Sequence, residues 1–469
     1  MKDNFLYTSA FFYSMVVTLI FGILIRRIVS PEIIGAFVFV DSIIVIFDLP
    51  CSVLRGAVDR LVPKYLGLND EQSAYDIASI SLSTLTAISI FESILIFLIG
   101  LFYKNDSWQY YAFIIVAISF FFSSISTFFK VYLKSLNKIK KTAYLLLISP
   151  SLTPIFYLLV LLYKNKGYYI ASLLIGVCAS ILMIYYGVNQ ISWSEITPFS
   201  YKFKNFFSNS LFKEMIRIGS LLLFYEFLFK FLFVIDRYFV KFLEGNTMLA
   251  FYDFAVSGTT RVVIIFLAFI ESFSPRIYRN FAVNKNQNYL FDKLTYLTLM
   301  VSYVVSFIIY SYVDYFVKLI LPNYVQSVPY FKIFAFMIMP FSQYYIGYFI
   351  AVGKNRIVPL VKNIIILLML NVFLDWELYK FFGTIGIAWA TLICVFLGYI
   401  FVSIVVFQTY RRLCYLAMLF LPVLILNCFL LSYNIQIAYI YLLMVILIFI
   451  YFLYSLKNSS KNNDKLVQL

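Results

Sequence analysis

The sequence predicts an all-α polytopic membrane protein of about fourteen transmembrane helices. Hydrophobic residues make up 63% of its 469 positions and charged residues only 13%, about half the charge of a soluble chain. The apolar residues form continuous runs of about twenty, enough to cross a hydrocarbon core of about 30 Å. Alternating ten-residue segments are absent, which excludes a transmembrane β-barrel.

In chain order the expected spans are 5–25, 33–53, 77–102, 108–129, 142–163, 168–189, 214–235, 248–270, 294–313, 329–350, 357–377, 385–407, 413–432 and 435–456. Arg26-Arg27 follows the first span where a secretory signal would carry small residues, so it reads as an anchor. Pro150 and Pro154 predict a kink in the fifth span, and Pro340 and Pro422 interrupt the tenth and thirteenth. The twelfth opens on Gly383-Thr-Ile-Gly386-Ile-Ala-Trp-Ala390-Thr391, whose Gly386 and Ala390 allow close helix approach. The longest loop, 190–213, holds Pro198 and the polar run Ser208-Asn209-Ser210. The expected organisation is a six-helix bundle over 1–189, a cytoplasmic linker over 190–213 and a second six-helix bundle over 214–407. Two additional helices over 413–456 and a cytoplasmic tail over 457–469 complete it.

The net charge of +15 is read first as loop polarity. With the N-terminus inside, 25 Lys and Arg fall on the inner side and 9 on the outer, which predicts both termini in the cytoplasm. The two halves look like copies about 216 residues apart. Tyr132 pairs with Tyr348, Gly167 with Gly383 and Arg60 with Arg276. Six spans per half make the copies parallel, related by a pseudo-two-fold along the membrane normal. Bundles so related commonly enclose a cavity open to one side at a time.

Ionisable groups within spans need a partner, water or a function. They are Asp41 and Asp48 in the second span, Glu92 in the third, Glu226 and Lys230 in the seventh, Arg261 in the eighth and Lys332 in the tenth. Glu226 and Lys230 stand at i, i+4, which suits an intrahelical ion pair; a substrate contact for Lys230 is the other reading. Asp41 and Asp48, seven apart, share a helix face and face a wet interior or a cationic neighbour. Arg261 has no acid within a turn and stays charged at any relevant pH. It lines a cavity or pairs with an acid of another helix. Lys332 reads as a residue whose ammonium reaches the interface. Arg26-Arg27 and Asp236-Arg237 end the first span of each half, either as interfacial anchors or as a cationic ring at a cavity mouth. Fixed positive charge in a narrow dry space favours an anionic ligand, and Arg suits phosphate oxygens.

Other classes are excluded by what the sequence lacks. It has no histidine, so no Ser-His-Asp triad, Cys-His pair or haem His is available. Cys51, Cys178, Cys394, Cys414 and Cys428 have no motif spacing, so neither disulfides nor a zinc site is expected. There is no phosphate-binding loop of an ATPase, no Arg-rich voltage-sensing span and no filter-like glycine loop. Nothing points to nucleic acid.

Ile28-Val-Ser30-Pro31-Glu32-Ile-Ile-Gly35 resembles the entry motif of polysaccharide flippases. Asp236-Arg237 followed by Leu249-Ala-Phe-Tyr252 is similar to the motif of their second half, with Phe251 where a glycine usually stands. Gly353-Lys354 followed by Gly383 to Thr391 looks like their next block. The resemblance, covering most of 1–410, is to the O-antigen flippase (Wzx) family of the multidrug/oligosaccharidyl-lipid/polysaccharide (MOP) exporter superfamily. It implies a MATE-like fold, a bacterial inner-membrane location and a role in lipopolysaccharide or other polysaccharide biosynthesis. The implied activity is transfer of an undecaprenyl-diphosphate-linked oligosaccharide to the outer leaflet by alternating access through a cationic lumen. The chain is then no enzyme and needs no cofactor beyond a proton or sodium gradient. Its implied partners are the lipid-linked glycan, membrane lipid, a polysaccharide polymerase and a chain-length regulator. The candidate substrate-binding cations are Arg261, Lys230, Arg26, Arg27 and Arg237, and the candidate coupling acids are Asp41 and Asp48. The alternatives are a MATE-type drug/cation antiporter, whose cavity would favour acids, and an O-antigen polymerase or membrane glycosyltransferase. The latter would need catalytic residues on large outer loops, which the sequence lacks.

Overall fold

The computed structural model describes residues 2–191, 210–271, 288–353 and 357–406. The expected spans 413–432 and 435–456, the tail and most of the 190–213 linker lie outside the described residues. Within them there are helices and no strand. In chain order the helices are α1 (Lys2–Ile28), α2 (Pro31–Gly67), α3 (Glu71–Leu101), α4 (Ser107–Ser135), α5 (Ile139–Asn189), α6 (Ser210–Glu271), α7 (Asn288–Ile320), α8 (Val328–Gly353), α9 (Ile357–Phe382) and α10 (Thr384–Val406). A 3-10 turn, Pro322–Ser327, leads into α8. Eight of these helices, all but α6 and α8, carry a stretch long and apolar enough to cross a membrane.

The two longest helices are each broken once. A straight helix of the 62 residues of α6 would run about 93 Å, three times the hydrocarbon core. Gly245 (φ 87°, ψ −175°) interrupts it, and Lys164 (φ 48°, ψ −119°) interrupts α5. Each is thereby divided into two helical segments.

The joints follow from local chemistry. Pro31 occupies the first turn of α2, where its missing N–H costs nothing. Asn69 takes a left-handed φ of 58°, and Asp70 then caps α3 by accepting from the Ser73 N–H at 3.1 Å. Hydrogen bonds from the Ser73 side chain and backbone hold the Asp70 carboxyl below its ordinary range. Asp106 caps α4 in the same way through the Gln109 N–H.

The chain clusters into two compact units, Met1–Val234 with Glu244–Ala250, and Ile235–Leu243 with Phe251–Leu469. In the first, α4 packs against α2, α3 and α5, and α1 lies along α5. Its core joins Leu54 and Val58 of α2 to Ile77 and Leu85 of α3 and to Phe128 and Tyr132 of α4. Helix α3 turns Ser79, Ser81, Ser83 and Ser89 inward and Ile90, Phe91, Ile94 and Phe97 outward. That inversion of the soluble pattern suits a helix solvated by lipid, where small polar residues mediate close packing. Gly35 brings α2 against the segment after the α6 break, since a Cβ there would stand 1.8 Å from the Asn246 carbonyl oxygen. The Gln109 side-chain amide completes this contact by donating to Asn246 Oδ1 at 3.2 Å.

In the second unit α8 packs against α7 and α10, and α9 pairs with α10. The Tyr252 ring meets Phe334 edge-on at 5.5 Å, and the Tyr330 hydroxyl is bonded to Thr384 at 2.7 Å.

Two expectations are corrected. Arg55, Arg60 and Lys64, counted as loop cations, are helical, because Pro50 and Pro63 do not end α2. Arg55 is buried. The repeat also has a different register at its last joint. Gly167 and Gly386 each bring a helix start against the carbonyl oxygen eight residues earlier, at 2.0 Å (Leu159) and 2.2 Å (Leu378) from an added Cβ. Three residues before each stands a positive φ, 48° at Lys164 and 61° at Gly383. Gly167 therefore corresponds to Gly386, and Lys164 to Gly383.

Candidate functional site

The most concentrated polar chemistry in the second unit surrounds Asp236. This residue follows a fully apolar stretch of α6 and its side chain is completely buried. Its Oδ1 accepts from the Asn371 amide at 2.8 Å. Its Oδ2 accepts from the Tyr252 hydroxyl at 2.9 Å and from the Thr391 hydroxyl at 2.5 Å. Asn371 and Asp375, at i, i+4 on α9, share one face, and the same Asn371 amide reaches Asp375 Oδ2 at 3.0 Å. Asp375 is itself completely buried and lies within hydrogen-bonding reach of Asp236.

Three helices thus place two carboxyl groups, one amide and two hydroxyls together. Two adjacent buried carboxylates cannot both stay anionic without a compensating positive charge. Arg237, next in sequence to Asp236, is already committed: its Nη2 holds Asp253 Oδ1 at 2.6 Å, to which the Ser257 hydroxyl also donates at 2.9 Å. Two buried oxygens of the cluster, Asn371 Oδ1 and Asp375 Oδ1, have no hydrogen-bond partner. Unpaired hard oxygens beside an acid pair suit a shared proton or a small cation with oxygen ligands. No group of three or more His, Cys, Asp or Glu among the described residues forms a metal site.

The acids singled out from the sequence lie in the first unit. Asp48 is paired with Arg55, whose Nη2 stands 2.7 and 2.6 Å from its two oxygens. Asp41 is exposed on the same helix. Among the cations, Arg26 is half-buried and donates to the Gly22 carbonyl at 3.2 Å, and Arg27 is exposed. Lys230 is exposed, and the side chain of its expected partner Glu226 lies outside the described residues. Arg261 is half-buried in the second span of α6. Lys332 is ion-paired with Asp314 of α7, with its ammonium 5.7 Å from the centre of the Tyr310 ring.

The sequence reading missed Asn371 and Asp375 as site residues. Their signal was an Asn and an Asp one turn apart in a 26-residue apolar helix, inside the expected span 357–377. Asp236, Tyr252 and Thr391 had been noticed as motif residues, and the fold brings all three onto one carboxyl group.

No family model matches the sequence, and no curated relative matches it either. Solved structures do match in fold. The lipid II flippase MurJ in an inward closed conformation superimposes with a TM-score of 0.68 at 18% identity, covering 96% of this chain and 99% of that one. A multidrug resistance MATE family transporter of the MOP superfamily, inward-facing, gives 0.65 at 13% identity, over 86% and 95%. A MOP superfamily transporter from Pyrococcus furiosus gives 0.62 at 13%, over 89% and 96%. The chain has the MATE- and MurJ-like fold, a multi-pass membrane architecture shared by transporters and flippases.

Proposed function

We propose that this chain is a flippase of the bacterial inner membrane. It carries an undecaprenyl-diphosphate-linked oligosaccharide, an O-antigen or other surface-polysaccharide repeat unit, to the outer leaflet by alternating access. The observation that carries this reading is Arg261, a permanently charged guanidinium half-buried in a span, where a cation is retained at a cost of a few kcal/mol. A diphosphate offers such a group bidentate oxygen partners. Arg26, Arg27 and Lys230 of the first unit and Arg237 of the second are further candidate cations for an anionic ligand, with Arg237 held in orientation by Asp253. The likeness to a lipid II flippase over nearly the whole chain supports a lipid-linked cargo.

An ion gradient supplies the energy in this reading. The Asp236–Asp375 pair is a coupling site for a proton or a monovalent cation, and Asp41 and Asp48 are coupling candidates in the first unit. A polysaccharide polymerase and a chain-length regulator act on the product, and both termini lie in the cytoplasm. No bond is made or broken, so the chain is a transporter and not an enzyme.

Surface polysaccharide in cells carrying Arg261→Ala tests the assignment. It is expected to disappear while the protein remains inserted and abundant, and Arg261→Lys should rescue it partly. Normal polysaccharide with Arg261→Ala would refute the role. A MATE-type drug/cation antiporter is the second reading, favoured by the buried acid pair and the MATE likeness. Drug efflux driven by a proton or sodium gradient, with no transfer of lipid-linked glycan, would establish it instead.

A further inference from the structure

The acid pair of the second unit leaves unexplained a line of charge inside the first. Asp48, Cys51 and Arg55 recur at i, i+3 and i+7 along α2 and so occupy one face. Glu92 of α3 meets that face, with the Cys51 thiol donating to its Oε2 at 3.3 Å. Glu92 is 4% exposed and Cys51 completely buried. A thiol is a weak donor, far short of what a buried carboxylate requires. Among the described residues, the guanidinium that acts on Glu92, Arg55, is spent on Asp48, with both contacts from Arg55 Nη2. Two acids therefore compete for one arginine, and the geometry shows Asp48 holding it.

We propose that Glu92 is a proton-binding site of the first unit, whose proton is held while Arg55 pairs with Asp48 and whose release transfers Arg55 to Glu92. On release the Glu92 O–H bond breaks and its electron pair stays on the carboxylate. The proton passes to water, and an Arg55 N–H then donates to the new anion. The charges that act on Glu92 are Asp48 and Arg55 of α2, with the Cys51 thiol as its hydrogen-bond donor. From α4 the cation beside Arg55 is Lys130. The proposal extends the ion-coupled reading of the chain, because it frees or occupies Asp48 according to the protonation of a residue 44 positions away.

The test is infrared difference spectroscopy of the full chain in lipid nanodiscs as pH is raised. The wild type is expected to show a neutral-carboxyl carbonyl band that is lost on alkalinisation together with a shift of an arginine guanidinium mode. Glu92→Gln should remove both changes. Cys51→Ser, which leaves the carboxyl in place and offers it a stronger donor, should shift the band, and this variant serves if Glu92→Gln does not fold. Asp375→Asn should leave the Glu92 band in place, separating it from the second unit. A spectrum insensitive to both Glu92→Gln and Cys51→Ser would overturn the proposal. Because the readout is spectroscopic, it stands whether or not the cargo is a lipid-linked glycan.

Discussion

Asp236 shows how a buried carboxyl group is kept in an apolar helix bundle: it receives three hydrogen bonds from three other side chains. Its neighbour Asp375 is less well served, with one oxygen unpaired. That asymmetry marks the place for a cation or proton. If one binds there, it stabilises the folded state by about 2.7 kcal/mol at a hundredfold excess over its Kd. The melting temperature of the purified protein should therefore rise with added sodium, or with acid if the ligand is a proton. Asp236→Asn and Asp375→Asn should each flatten that dependence, because an amide cannot supply the negative charge. An unchanged ligand response in both variants would remove the site from the account. The residues of this cluster were legible in the sequence only piecemeal. Asp236, Tyr252 and Thr391 stood out as fragments of two motifs spread over 156 positions, and nothing local says that they meet. Asp375 lies inside the expected span 357–377 and was not singled out there. Long-range convergence of this kind depends on helix packing, which spacing along one chain does not encode.

At the scale of elements, the joints were legible where a special residue marks them. The second span was expected to end at residue 53, yet α2 runs through Pro50 and Pro63 to Gly67, carrying Arg55 from an expected loop into the interior. A proline removes one hydrogen bond but does not forbid a helix held by its neighbours. The break in α5 shows the opposite case, since an ordinary lysine adopts φ 48° and ψ −119° there. The corresponding position of the second half is Gly383, where no Cβ is strained. Lys164→Gly should therefore stabilise the protein by about 1 kcal/mol, read as a higher melting temperature in detergent. A lower melting temperature would mean that the Lys164 side chain contributes more than its backbone strain costs. Gly35→Val should do the reverse, because a side chain there meets the Asn246 backbone, which has no rotamer with which to move aside. A loss of about 1–3 kcal/mol is expected, and wild-type stability would show that α2 retreats freely.

For the whole molecule, composition and the continuous apolar runs made the fold class legible. A 63% apolar chain has no soluble alternative of this size, and eight of the described helices are long and apolar enough to cross a membrane. The inside-positive count predicts that Lys141→Cys, in the first turn of α5, is shielded from an impermeant maleimide in intact cells. Lys104→Cys, between α3 and α4, should be labelled, both in a background without the five native cysteines. The opposite pattern would invert the topology and with it the direction of transport. Cargo is the claim on which the rest depends. Its most direct measurement is transfer of a fluorescent undecaprenyl-diphosphate-linked oligosaccharide between leaflets of liposomes containing the purified protein. The account predicts ion-gradient-dependent transfer by the wild type and a loss of about tenfold to a hundredfold with Arg261→Ala, the worth of one charge-assisted contact. Wild-type protein that transfers no lipid-linked glycan, or Arg261→Ala that transfers it at the wild-type rate, would contradict it.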